Sequence, residues 1–138
     1  MVEKGGYDAC VIACFDDTGL MALKRRSPIP VIGIGEAAFH AAMLAGEHFS
    51  VVTTLGVSIP VIEANIAAYG FAARCRKVRA SEVPVLALEA DPEASRDAIA
   101  AEIAAAVSAD KPDAIVLGCA GMADLALTLS DRFELPVI

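Results

Sequence analysis

Tyr7-Asp8-Ala9-Cys10-Val11-Ile12-Ala13-Cys14 and Pro112-Asp113-Ala114-Ile115-Val116-Leu117-Gly118-Cys119 are the stretches that decide the fold. They align at constant spacing, Asp8 with Asp113, Ala9 with Ala114 and Cys14 with Cys119, and Leu20 with Leu125 beyond them. After a one-residue insertion, Ile29-Pro30-Val31-Ile32 matches Leu135-Pro136-Val137-Ile138. All buried strands are rich in Val and Ile, but matched Asp-Ala, Cys and Pro-Val-Ile positions are not generic strand residues. The repeat therefore predicts two related halves, each a strand ending in a cysteine, a glycine-containing turn and a helix.

Outward from these runs the chain alternates apolar stretches with Ala-rich helical ones. Strands are expected at 9–13, 30–34, 49–55, 83–88 and 114–118, with 136–138 beginning another. They read as continuously apolar, the pattern of parallel strands covered on both faces. Helices are expected at 20–26, 36–45, 60–69, 92–108 and 123–133. The fourth is the clearest: Asp91 can cap it, Pro92 suits its first position, and Ile99, Ile103 and Val107 recur every four residues. Strands alternating with helices predict an α/β fold with a parallel sheet. Residues 1–47, carrying Cys14, belong to a first half, and residues 48–138, carrying Cys119, to a second.

With 138 residues and 57% apolar content, the chain can fill one core without disulfides or metal. Aromatics are 5% with no Trp, whereas 28 residues are Ala, which suits helices packed closely on a sheet. A net charge of −7, scattered along the chain, argues against nucleic acid and acidic membranes as partners. No apolar run approaches the roughly 20 residues of a membrane span, and the first residues carry no hydrophobic leader. Four cysteines without CxxC spacing and two distant histidines point away from a metal site. A reduced, cytoplasmic protein acting on a small molecule is expected, its aliphatic helices consistent with a homo-oligomer.

In parallel α/β sheets ligands bind beyond the carboxyl ends of the strands, where Cys14 and Cys119 fall. Backbone N–H groups of such turns can favour a thiolate and a bound oxyanion. A buried inert thiol is the alternative, and it fits Cys10 and Cys75 well. Two thiols at repeat-related positions suit inversion at a carbon next to a carbonyl, which needs a base on one face and an acid on the other.

Four ordered motifs carry a resemblance: residues 11–20 around Cys14-Phe15-Asp16-Asp17-Thr18-Gly19, residues 30–38 with Gly33-Ile34-Gly35-Glu36, residues 49–54 ending in Thr53-Thr54, and residues 116–122 around Cys119-Ala120-Gly121. Together they resemble the aspartate/glutamate/hydantoin racemase superfamily, and within it the hydantoin and allantoin racemases. The resemblance implies two pseudo-symmetric, flavodoxin-like parallel-sheet halves and a cofactor-independent, two-cysteine racemisation with Cys14 and Cys119 as the catalytic pair. By the same resemblance Phe15, Thr18, Gly19, Glu36, Thr53, Thr54, Ala120 and Gly121 surround the substrate. No Lys lies in a motif, so a pyridoxal Schiff base has no candidate, and Gly33-x-Gly35 lacks the third glycine of a dinucleotide turn.

Departures matter too. Asp16 and Thr18 stand where the family often has Gly and Pro, so the first turn is expected to differ in shape. Phe15 and Ala120, rather than Asn or Thr, follow the cysteines, which favours a cyclic ureide over free aspartate or glutamate. The family's N-terminal strand, its Asn-Pro-Asn-Thr-like loop and its closing helix are not in the sequence. The first half is therefore expected to be incomplete and the chain part of a longer one. Two alternatives stay open: a maleate-type isomerase with a covalent cysteine adduct, and a non-catalytic ligand-binding or redox-sensing domain.

Overall fold

The computed structural model describes residues 5–138; residues 1–4, on which the expectation about a leader falls in part, lie outside the described residues. In chain order the elements are β1 (Cys10–Ile12), α1 (Leu20–Arg26), β2 (Val31–Gly33), α2 (Ile34–Ala45), β3 (Phe49–Thr53), α3 (Ile59–Ala68), β4 (Cys75–Ala80), α4 (Ala87–Ala90), α5 (Pro92–Asp110), β5 (Ala114–Leu117) and α6 (Ala126–Phe133). Short 3-10 turns, Gly56–Ser58 and Ala120–Leu125, lead into α3 and α6. No helix among the described residues is long and apolar enough to cross a membrane.

All strand pairings are parallel. β1 and β2 form one sheet, and β4-β3-β5 form a second with β3 in the centre. The internal repeat is visible in the pairing itself. Cys10 pairs with Val31 in the first sheet, and Ile115 pairs with Val137 at the edge of the second. The Cys10 N–H donates to the Pro30 carbonyl and the Ile115 N–H to the Pro136 carbonyl, each at 2.9 Å. Matched Pro-Val positions thus meet matched strands in matched register.

The central strands β3 and β5 are buried at every residue, as continuous apolar runs require. Their side chains alternate between two cores. On one face Val52, Ile115 and Leu117 pack with Ile99 and Ile103 of α5 and Leu129 of α6. On the other Phe49, Val51 and Val116 pack with Phe39 of α2 and Ile62 and Ile66 of α3. Asp91 does cap α5, accepting from the Ala94 N–H at 3.2 Å, with Pro92 in the first turn. Fully burying a side chain such as Ile99 or Ile103 contributes about 1.5–3 kcal/mol. Within residues 1–47, α2 turns its buried face to the second sheet rather than to β1 and β2.

Two expectations are corrected. The apolar stretch 83–88 is not a strand: Val83 is buried, Val85 and Leu86 are exposed, and the chain turns there into α4. The strand is β4 instead, an edge strand whose Arg76 and Lys77 face solvent and so disguise it. The first sheet is also covered on one face only: Val31 and Gly33 are buried, whereas Val11 (58% exposed) and its register partner Ile32 (45%) are open. Helices 20–26 and 36–45 lie where expected, α2 beginning two residues earlier at Ile34. The expected helix at 123–133 divides into the second 3-10 turn and α6.

Candidate functional site

Both cysteine turns leave the carboxyl ends of parallel strands, Cys14 two residues after β1 and Cys119 two after β5. Cys119 is half-buried and opens the 3-10 turn, its carbonyl accepting from the Met122 N–H at 3.0 Å. Cys14 is exposed. Its neighbours Ala13 and Phe15 line a groove of about 310 Å³ together with Ile34, Leu117, Cys119, Ala120 and Ile138. The groove thus joins the ends of β1 and β5, with an almost wholly apolar wall.

The Cys14 turn is held by its acidic residues. Asp17 has a left-handed backbone (φ +50°), donates its N–H to the Cys14 carbonyl at 3.0 Å, and accepts at its own carbonyl from Leu20. Its carboxylate, 5% exposed, accepts from the Gly35 N–H (3.2 Å), the Glu36 N–H (2.7 Å) and the Tyr69 hydroxyl (3.1 Å). The α2 N-terminus is therefore filled from within the chain. A Cβ at Gly33 would stand 2.2 Å from Asp17 Oδ1, and one at Gly35 2.4 Å from the Phe15 carbonyl, so this seat requires both glycines. Asn65 of α3 donates from Nδ2 to the Asp16 carbonyl at 2.8 Å. Burial first and the Asp17 charge second push the Asp16 carboxyl above its ordinary value. Burial, then that same charge and hydrogen bond, push the Tyr69 phenol well above its own.

The remaining expected site residues divide into rim and support. Thr18 and Gly19 are exposed at the end of the Cys14 turn, Gly19 with φ +82° at the start of α1. Phe15 is buried, its ring edge-on to Phe39 at 5.6 Å, and presents only part of itself to the groove. Glu36 forms an ion pair with Lys24 of α1. Thr53 is fully buried and donates its hydroxyl to the Gly118 carbonyl at 3.0 Å, tying the ends of β3 and β5 together. Thr54 is buried beside it. Ala120 and Gly121 are exposed; Ala120 lines both the apolar groove and a second hollow of about 410 Å³, and Gly121 lines only that second hollow, with Leu88, Glu89, Arg96 and Asp124.

Asp17, Asn65 and Tyr69 are the members that the sequence did not announce. The Asp17-x-Gly19 pattern signals a turn, and Asp tolerates left-handed backbone, but neither names the partners. Among the described residues no three His, Cys, Asp or Glu side chains converge as a metal-binding set.

Comparison with known proteins gives concordant results. Residues 1–138 match the family model described as Asp/Glu/Hydantoin racemase. A hydantoin racemase of Rhizobium meliloti is 49% identical over 136 residues, 99% of this chain and 56% of that protein. The structure of an allantoin racemase from Klebsiella pneumoniae superposes with a TM-score of 0.93 at 39% identity, covering 99% of this chain and 56% of that one. An allantoin racemase from Pseudomonas fluorescens likewise gives 0.93 at 40% identity, covering 96% of this chain and 57% of its own. The chain spans about half the length of the relatives it matches.

Proposed function

Because the chain belongs to the Asp/Glu/hydantoin racemase family, we propose that it carries the two reacting thiols, Cys14 and Cys119, of a cofactor-independent racemase acting on a hydantoin- or allantoin-like cyclic ureide. The observation that carries this reading is the single groove shared by Cys119 and the residues on both sides of Cys14. Its apolar wall offers no cation to a free carboxylate and suits a neutral, planar ring. The names of the similar proteins, hydantoin racemase and allantoin racemase, support the same substrate class.

In this mechanism one cysteine, as thiolate, takes the proton from the carbon next to the carbonyl. The C–H electron pair moves into the carbonyl, giving an enolate, and the other cysteine delivers its proton to the opposite face. The first thiol ends protonated and the second ends as thiolate, ready for the opposite enantiomer. Phe15 and Ala120 line the groove that takes the ring, with Gly121 next to it in the chain; Thr18 and Gly19 form the exposed rim, and Thr54 lies buried behind it. Thr53 acts through the Gly118 backbone it holds, and Glu36 through its ion pair with Lys24.

Polarimetry with a single enantiomer of a 5-substituted hydantoin tests the reading. Optical rotation should decay to zero, and Cys14→Ser and Cys119→Ser should each slow it by about 10²–10⁴-fold. Conversion of maleate with hydantoins untouched would transfer the chain to the isomerase alternative.

A further inference from the structure

Two separate elements converge on one buried carboxylate three residues beyond Cys14. The β2–α2 junction supplies the Gly35 and Glu36 N–H groups, α3 supplies the Tyr69 hydroxyl just past its end, and the turn supplies Asp17 itself. Asp17 is also bonded directly to the Cys14 carbonyl, and Asn65 fixes the intervening Asp16 carbonyl from the same helix. A buried carboxylate is costly unless every oxygen is satisfied, and here the satisfying groups all bear on the backbone that carries the thiol.

Resting on the racemase reading above, we propose that Asp17 is a positioning residue for Cys14, and that Tyr69 and Asn65 extend its hold to α3. Cys14 is exposed and has little packing of its own, so the placement of its sulfur depends on the turn. Asp17→Asn puts an amide N–H₂ against N–H donors and removes the charge from the α2 N-terminus. Tyr69→Phe removes one bond and leaves the ring in place.

The readout is iodoacetamide labelling of each cysteine at fixed pH, followed by peptide mass spectrometry, with the Cys14:Cys119 rate ratio taken within one molecule. That ratio cancels general destabilisation, and labelling needs no substrate, so it stands whether or not hydantoins are turned over. Losing one such bond changes the population of the pinned turn by about three- to tenfold. The ratio should therefore depart from its wild-type value in Tyr69→Phe, by up to about threefold, and further in Asp17→Asn, with Cys119 unchanged. Where Asp17→Asn unfolds and all four thiols label alike, Tyr69→Phe and Asn65→Ala decide. A wild-type ratio in folded Tyr69→Phe and Asn65→Ala overturns the proposal. Racemisation supplies a second arm: a misplaced Cys14 lowers kcat with little change in KM. It also leaves solvent exchange from the enantiomer deprotonated by Cys119, which a general loss of fold would remove as well.

Discussion

Four thiols occupy four different surroundings, and their chemistry should separate accordingly. Cys75 begins β4, and burial, only partly opposed by a hydrogen bond from the Lys77 backbone, pushes its thiol up to about 12. At pH 8 on the order of 10⁻⁴ of it is thiolate, which makes it inert to alkylation. Cys14 is the exposed thiol and Cys10 and Cys119 are half-buried. Time-resolved labelling at pH 8 should therefore modify Cys14 first and Cys75 last; Cys75 reacting as fast as Cys14 would contradict the packing described here. At this scale the sequence was legible where chemistry is local. The placement of Cys14 and Cys119 just beyond strand ends could be read from the apolar runs and the repeat. Asp17 could not be assigned, because its partners Gly35 and Tyr69 lie far along the chain and become neighbours only when α2 and α3 pack together. Thr53 shows the converse: a hydroxyl at a strand end reads as a substrate contact until β5 arrives to accept its hydrogen bond.

Among the elements, β4 and α5 are joined by a partly buried ionic cluster. Arg79 holds Asp110 through Nε (2.6 Å) and Nη2 (2.7 Å) and Glu102 through Nη1 (3.0 Å), and Ser50 of β3 donates to the same Asp110 carboxylate at 3.1 Å. The Arg79 hydrogen bonds hold the Asp110 carboxyl below its ordinary value, although burial opposes them. The cluster also neutralises an acid at the carboxyl end of α5, where the helix dipole disfavours it. Arg79→Met should cost about 3 kcal/mol, seen as a lower urea midpoint, because Asp110 would stay buried without its cation. The pH dependence has a definite sign. With the folded pKa below the unfolded value of about 3.9, the stabilisation is complete above that value and disappears as pH falls through the lowered one. The wild type should therefore lose stability steeply below about pH 4, and Arg79→Met should lose much less over that range. Equal acid slopes in the two proteins would show that the pair contributes nothing. The cluster also explains why β4 escaped a reading based on apolar runs. A strand containing Arg76, Lys77 and Arg79 is stabilised by edge exposure and ion pairs, whereas the more apolar 83–88 stretch supplies one buried Val and then a turn.

For the molecule as a whole, the repeat gave the α/β class, the parallel sheets and the matched pairings, because it encodes both halves in one pattern. Coverage of each sheet was less legible. A strand reads as buried when it is apolar, but burial depends on what packs over it, and α2 covers the second sheet rather than the first. Val11 and Ile32 therefore lie side by side on an open face of the β1–β2 sheet. An apolar pair exposed in register favours association, and association of the chain through this face is the expected outcome. Sedimentation velocity should show concentration-dependent species larger than one chain of 14.2 kDa, and Ile32→Lys should shift them toward the monomer. A monomer at every concentration, or association unaffected by Ile32→Lys, would remove that face from consideration.

In the proposed reaction, two thiols beside one groove exchange a proton with the carbon between them. Racemisation of a single-enantiomer hydantoin in D₂O, followed by proton NMR of the ring C–H, tests it most directly. The C–H signal should disappear in step with loss of optical rotation, because the proton returned to the opposite face comes from the second, solvent-equilibrated thiol. Racemisation with the protium retained, or a stable covalent adduct on Cys14, would contradict it.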